Sequence, residues 1–152
     1  MELFQTLYNR GYIIEIHIIG ININVSRLGV HYRFENGSRI GAPERMVSME
    51  VHDRNYHALP ANLLALGKAC GLLVSKLVLY SRDGNDKLNV VYETEHPCNF
   101  QELVTTLAFI RNRPFSNDEQ ADFKSKMEDV RTMIDARGGD SQKFLRDIEV
   151  FK

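Results

Sequence analysis

The sequence predicts an α/β fold: a small, partial doubly wound sheet of two parallel strands plus an antiparallel edge strand, with a helical C-terminal part. Three observations carry that expectation. Tyr12–Gly20, YIIEIHIIG, is an almost wholly apolar run rich in β-branched residues, which suggests a strand buried on both faces of a parallel sheet. A second such run, Leu73–Ser81, follows a stretch of helical patterning, and strand–helix–strand order implies a parallel pair. After His96-Pro97 the pattern is helical.

Taken in order, ELFQTLYNRG reads as a short helix closed by Gly11, which supplies a left-handed stop. In the first strand Glu15 and His17 interrupt the apolar run on one face. NVSRLGVHYRFEN reads as a helix that Asn24 or Ser26 can cap. Its positions Val25, Leu28, His31, Tyr32 and Glu35 follow helical spacing only in part. Residues 37–47 hold two glycines and a proline and read as a loop. Ser48 can cap the next helix, MEVHDRNYHALPANLLALGKAC, in which Pro60 removes a backbone donor and predicts a kink or break near Ala58. Asp83-Gly84-Asn85 favours a hairpin turn into Lys87–Glu93.

Asn99–Ile110 is helical. Beyond it Ser116 and Glu119 form a capping box, and Gly138-Gly139 close the far end of a helix. Phe123, Met127, Val130, Met133 and Ile134 place one apolar stripe along it. DSQKFLRDIEVF adds a last short helix. The organisation read from this order is an α/β portion over residues 1–98 and a helical tail over 99–152 packing on it. Three strands make a small sheet, and a long apolar edge at Tyr12–Gly20 invites pairing, so a homodimer or a covering helix is expected there.

Composition narrows the function classes. Hydrophobic residues at 43% and charged residues at 26% describe a globular chain. The formal net charge of -1 gives no global field toward nucleic acid or membrane. No apolar run reaches the ~18 residues of a membrane span, and the N-terminus has no signal-peptide core. A cytoplasmic protein is the default. Cys70 and Cys98 have no metal or redox spacing and are expected to be free thiols. His52 and His57 are five apart, on different helical faces, so no metal site is expected. DGNDK lacks the spacing and closing glutamate of a calcium loop and reads as a turn.

The chemistry that remains lies in RFENGSRIGAPERMVSMEVHD, Arg33–Asp53. Arg33 lies near the end of a helix after the first strand, and Arg45 opens the segment that leads into the next helix. Arginine presents a rigid, always-charged fork suited to phosphate oxygens. Two of them flanking a loop after a strand's carboxyl end could close on a polyphosphate. Both also fit solvated surface arginines with snorkelling stems. Arg39 has no distinguishing context. His52 and Asp53 read as structural or site-adjacent residues on the helix surface. No phosphate loop, dinucleotide fingerprint, HExxH or GxSxG motif is present in the 152 residues.

The segments Arg10-Gly11-Tyr12, Ser26-Arg27-Leu28-Gly29, Arg33-Phe34-Glu35, Arg45, His52-Asp53, Leu59-Pro60-Ala61-Asn62-Leu63, Gly71-Leu72 and Tyr80-Ser81-Arg82-Asp83-Gly84 occur in one order. That order resembles the C-terminal half of the zeta toxin family of toxin–antitoxin kinases, over about residues 8–93, with Arg113-Pro114 fitting more loosely. Ser48 stands where a proline is common, and Phe34 where a tyrosine is commoner. The resemblance implies a P-loop kinase that phosphorylates UDP-N-acetylglucosamine with ATP and magnesium and is neutralised by a helical antitoxin. It implies that Arg33 and Arg45 reach the ATP phosphates. The family's phosphate loop and its aspartate base lie N-terminal to everything matched. The chain alone is therefore expected to bind ATP weakly and to be inactive without an N-terminal kinase half. A non-catalytic binding module and a degenerate remnant are the other readings.

Overall fold

The computed structural model describes residues 2–42, 45–82 and 87–149. In chain order these form α1 (Glu2–Asn9), β1 (Glu15–Gly20), α2 (Ile23–Arg39), α3 (Met49–Cys70), a 3-10 turn (Gly71–Leu73), β2 (Lys76–Arg82), β3 (Leu88–Glu95), α4 (Phe100–Asn112), α5 (Asn117–Ala136) and α6 (Ser141–Glu149). The sheet order is β1-β2-β3. β1 pairs parallel with β2, His17 opposite Val78, and β2 pairs antiparallel with β3, Val78 opposite Glu93. This is the expected α/β class with a helical C-terminal part. The Asp83-Gly84-Asn85 turn falls outside the described residues.

Two compact units divide the chain discontinuously: Met1–Ile21 with His57–Pro114, and Asn22–Tyr56 with Phe115–Lys152. The first unit holds the sheet. Its core gathers Ile14, Ile18, Leu63, Val74, Leu77, Leu79, Phe100, Leu103 and Leu107, with Phe4 and Leu7 of α1 packed against it. Burial on both faces belongs to β2, where Leu77, Val78 and Leu79 are all buried in succession, as a central strand requires. β1 differs from expectation. Ile18 and Gly20 are buried, but Glu15, His17 and Ile19 on the alternate face are exposed. The strand begins only at Glu15, leaving Tyr12 and Ile13 exposed. The cause is position: β1 is a sheet edge, and helices cover one of its faces, so its side chains segregate with period two.

Pro60 does not break its helix. α3 is continuous over 22 residues. Proline leaves the Tyr56 carbonyl without its in-helix donor, a cost of about 3 kcal/mol. Leu59, just before it, and Leu63, Leu64 and Leu66 on its C-terminal side pack against the sheet core, and that burial outweighs one missing bond. Close approach of α3 to α4 depends on Gly67. A Cβ there would lie 2.5 Å from Phe100 Cγ and 2.9 Å from Phe100 Cβ.

The second unit is helical. Its core is Leu28 of α2, Val130 and Ile134 of α5, and Phe144 and Ile148 of α6, flanked by Phe123, Met127, Met133 and Leu145. The stripe expected on α5 is the one that packs. Ser116 and Glu119 form the reciprocal capping box at its start. Gly138, at φ +71, supplies the left-handed turn after its end. α2 is capped by Asn22 rather than Asn24 or Ser26: the Asn22 side chain accepts from the Asn24 N–H at 2.9 Å. Ser48 Oγ accepts from the Val51 N–H at 3.4 Å at the start of α3.

Gly67→Ala is expected to destabilise the protein by about 1–3 kcal/mol, because the Phe100 atoms met are nearest the backbone and cannot swing away. The gain in helix propensity is only about 1 kcal/mol. Urea unfolding of Gly67→Ala alone and with Phe100→Leu checks this. The double variant should lose less than the sum of the two single losses.

Candidate functional site

The second unit carries the residues singled out by sequence. Arg33 is exposed on α2, and its Nε donates to the Gly29 carbonyl at 3.3 Å, a bond within its own helix. Arg45 is exposed in the segment before α3 and makes no side-chain hydrogen bond or ion pair among the described residues. No described contact joins the two guanidinium groups. Pro43 and Glu44, just before Arg45, lie outside the described residues. Arg39 donates to Asn36 Oδ1 at 3.0 Å.

His52 and Asp53 are drawn into a connected array. α3 begins at Met49, so His52 and Asp53 fall in its first turns beside the N-terminal turns of α2. Ser26 Oγ lies 2.8 Å from His52 Nε2, and His52 Nδ1 lies 2.8 Å from Asp53 Oδ1. Arg27, buried at 4% exposure, donates through Nε to Asp53 Oδ1 at 3.0 Å and through its terminal nitrogen to Asp53 Oδ2 at 2.5 Å. A further Arg27 nitrogen donates to the Asp147 carbonyl at 3.3 Å. The Arg27 bonds, followed by that from His52, hold the Asp53 carboxyl below its ordinary value against the opposing effect of burial. Asp53 is thus a carboxylate at neutral pH. Tyr56 stacks on His52 with centroids 6.1 Å apart.

Two more buried polar residues lie along α2. Glu35, buried at 3% exposure, accepts both Arg137 Nε at 2.6 Å and a terminal Arg137 nitrogen at 2.7 Å. The Arg137 guanidinium carbon sits 5.8 Å from the centre of the Phe34 ring. His31 is buried against Phe144, with Nε2 3.3 Å from Asp147 Oδ2. Burial lowers its pKa, and Asp147 and Glu35 oppose that shift without cancelling it. A cavity of about 580 Å³ opens between α2 and α5, lined by Tyr32, Glu35, Arg39, Asp129, Met133 and Arg137 among others, and Arg33 is not part of its wall. Among the described residues no group of three or more His, Cys, Asp and Glu is arranged to hold a metal ion.

Ser26, Arg27 and Glu35 entered the sequence reading only as cap, motif or helix-face positions, and Arg137 not at all; none was expected at the site. The trace they left was the broken pattern of α2. Leu28, His31 and Glu35 occupy buried helical positions, yet two of the three are polar. A polar residue at a core position calls for a partner, but nothing in one sequence names it.

The model of the zeta toxin family matches residues 1–96, which include Ser26, Arg27, Arg33, Arg45, His52 and Asp53. The chain belongs to the zeta toxin family. This is a toxin–antitoxin family of nucleotide-using, P-loop-kinase-like proteins. α4, α5 and α6 follow the matched region of the zeta toxin model. No curated protein matches the chain. No helix among the described residues is long and apolar enough to cross a membrane.

Two outcomes follow from these pairings. The folded chain binds fewer protons at His31 than the unfolded chain, so the unfolding free energy is expected to fall as pH drops below the free imidazole value of 6.5. Denaturant titrations between about pH 7 and pH 5 should give a shallower slope for His31→Gln than for the unsubstituted chain. Arg137→Ala leaves Glu35 buried without its partner and is expected to cost about 2–3 kcal/mol. Thermal unfolding of Arg137→Leu with Glu35→Leu should show a smaller loss than Arg137→Ala alone.

Proposed function

We propose that this chain carries the arginine-bearing part of the nucleotide cleft of a zeta-toxin kinase. In this reading Arg33 and Arg45 hold ATP phosphates, with magnesium, during phosphoryl transfer to UDP-N-acetylglucosamine. Phosphoryl transfer spreads negative charge over the equatorial oxygens, and positioned guanidinium groups stabilise that charge. The supporting observation is that the family match runs through both arginines while both face solvent without a carboxylate partner among the described residues. Arg27 and Arg137, in contrast, are committed to Asp53 and Glu35. His52 and Asp53 stand beside that reading as positioning residues, since they tie the start of α3 to α2.

The phosphate loop and the general base are supplied by polypeptide other than these 152 residues. β1 pairs with β2 on one side only among the described strands, which supports its other edge as the place where such polypeptide, or a second copy, adds a strand. An antitoxin is the regulatory partner.

Titration calorimetry with ATP and magnesium is expected to give weak, salt-sensitive binding. Arg33→Ala and Arg45→Ala should each weaken it about tenfold, the equivalent of one charge-assisted hydrogen bond. Binding unchanged in both variants would remove the arginines from the cleft. Binding without phosphorylation of UDP-N-acetylglucosamine, even with a phosphate-loop half added, would leave a non-catalytic binding module.

A further inference from the structure

The hydrogen bonds around His52 have only one consistent polarity when its imidazole is neutral. The Asp53 carboxylate can only accept, and it accepts from Arg27 and from His52 Nδ1 at 2.8 Å. His52 therefore carries its proton on Nδ1, which leaves Nε2 as a bare acceptor. The Ser26 hydroxyl, 2.8 Å from Nε2, must donate to it. Ser26 Oγ keeps its lone pairs uncommitted, and the residue is only half-buried. All of these groups lie in one compact unit, on α2 and the first turns of α3.

We propose that Ser26 is a nucleophile activated by His52 and oriented through Asp53, acting on small activated carboxylic esters. Such a site is separate from the phosphate-binding arginines and needs no nucleotide. The Ser26 Oγ–carbon bond forms as the hydroxyl proton passes to His52 Nε2 and the carbonyl π pair moves onto oxygen. Collapse breaks the ester carbon–oxygen bond, and His52 returns the proton to the departing alcohol. Water, deprotonated by His52, then releases the acid and restores the serine. Ester and water enter, acid and alcohol leave. Arg27 shares the charge of Asp53, so the carboxylate stabilises the imidazolium less than an unpaired one would. The enhancement belongs near the ~10²-fold end of general-base catalysis.

The protein contains its own reference. Ser38 is exposed on the same helix, and its hydroxyl donates to the Phe34 carbonyl at 2.9 Å with no imidazole against it. The experiment treats the full chain with a fluorophosphonate probe and maps adducts by peptide mass spectrometry. In that reaction the Oγ–phosphorus bond forms, fluoride leaves and His52 takes the proton. Ser26 is expected to label about 10²-fold faster than Ser38. His52→Gln should bring Ser26 down to the Ser38 rate, and circular dichroism tells loss of the base from loss of the fold. p-Nitrophenyl acetate should leave an acetyl group on Ser26. Labelling of Ser26 no faster than Ser38 in the unsubstituted chain overturns the nucleophile, whatever the variants do. Fluorophosphonate labelling without acetylation overturns the ester class.

Discussion

The second unit depends on the burial of Arg27. A guanidinium at 4% exposure needs a counter-charge and bonds for its donors, because an unpaired buried charge costs several kcal/mol. Asp53 supplies both through a two-point pairing. That requirement fixes the first turns of α3 beside the N-terminal turns of α2. It also sets His52 against Ser26, since His52 is the neighbour of Asp53 and its other nitrogen has one direction left to face. The same rule operates along α2 at Glu35, whose buried carboxylate is matched by Arg137 from just beyond α5. Charge pairing thus acts beside the apolar core of Leu28, Val130, Ile134, Phe144 and Ile148 in holding α2 to its neighbours.

The sheet unit follows a different rule. β2 is apolar on both faces and sits at the centre, and β1 and β3 flank it with mixed faces. α4 contributes Phe100, Leu103 and Leu107 to that core, although it lies beyond the region matching the zeta toxin model. α5 and α6, also beyond it, provide Val130, Ile134, Phe144 and Ile148 around Leu28. Residues after 96 are therefore structural parts of both units, and each unit is assembled from two separated stretches of chain.

The chemistry of the candidate site divides along the same line. Among the described residues Arg33 and Arg45 have no carboxylate partner. Ser26, His52, Asp53 and Arg27 are defined by what they share, a chain of bonds whose polarity is set at its carboxylate end.

The sequence by itself determined the elements whose signals are local. β-branched runs marked β1 and β2, the Ser116–Glu119 box and the apolar stripe marked α5, and glycines marked helix ends at Gly11 and Gly138. Residue chemistry and motif order also made Arg33, Arg45, His52 and Asp53 candidates, a matter of residue type and order alone. Only the tertiary structure decided that β1 is an edge with one exposed face, that α3 runs through Pro60, and that α2 packs with α5 and α6. It alone paired Arg27 with Asp53 across 26 residues and Glu35 with Arg137 across 102. The physical reason is range. Capping, periodicity and turn preference act within a few residues, whereas burial of a charge or a strand face is settled by whichever distant segment arrives to cover it.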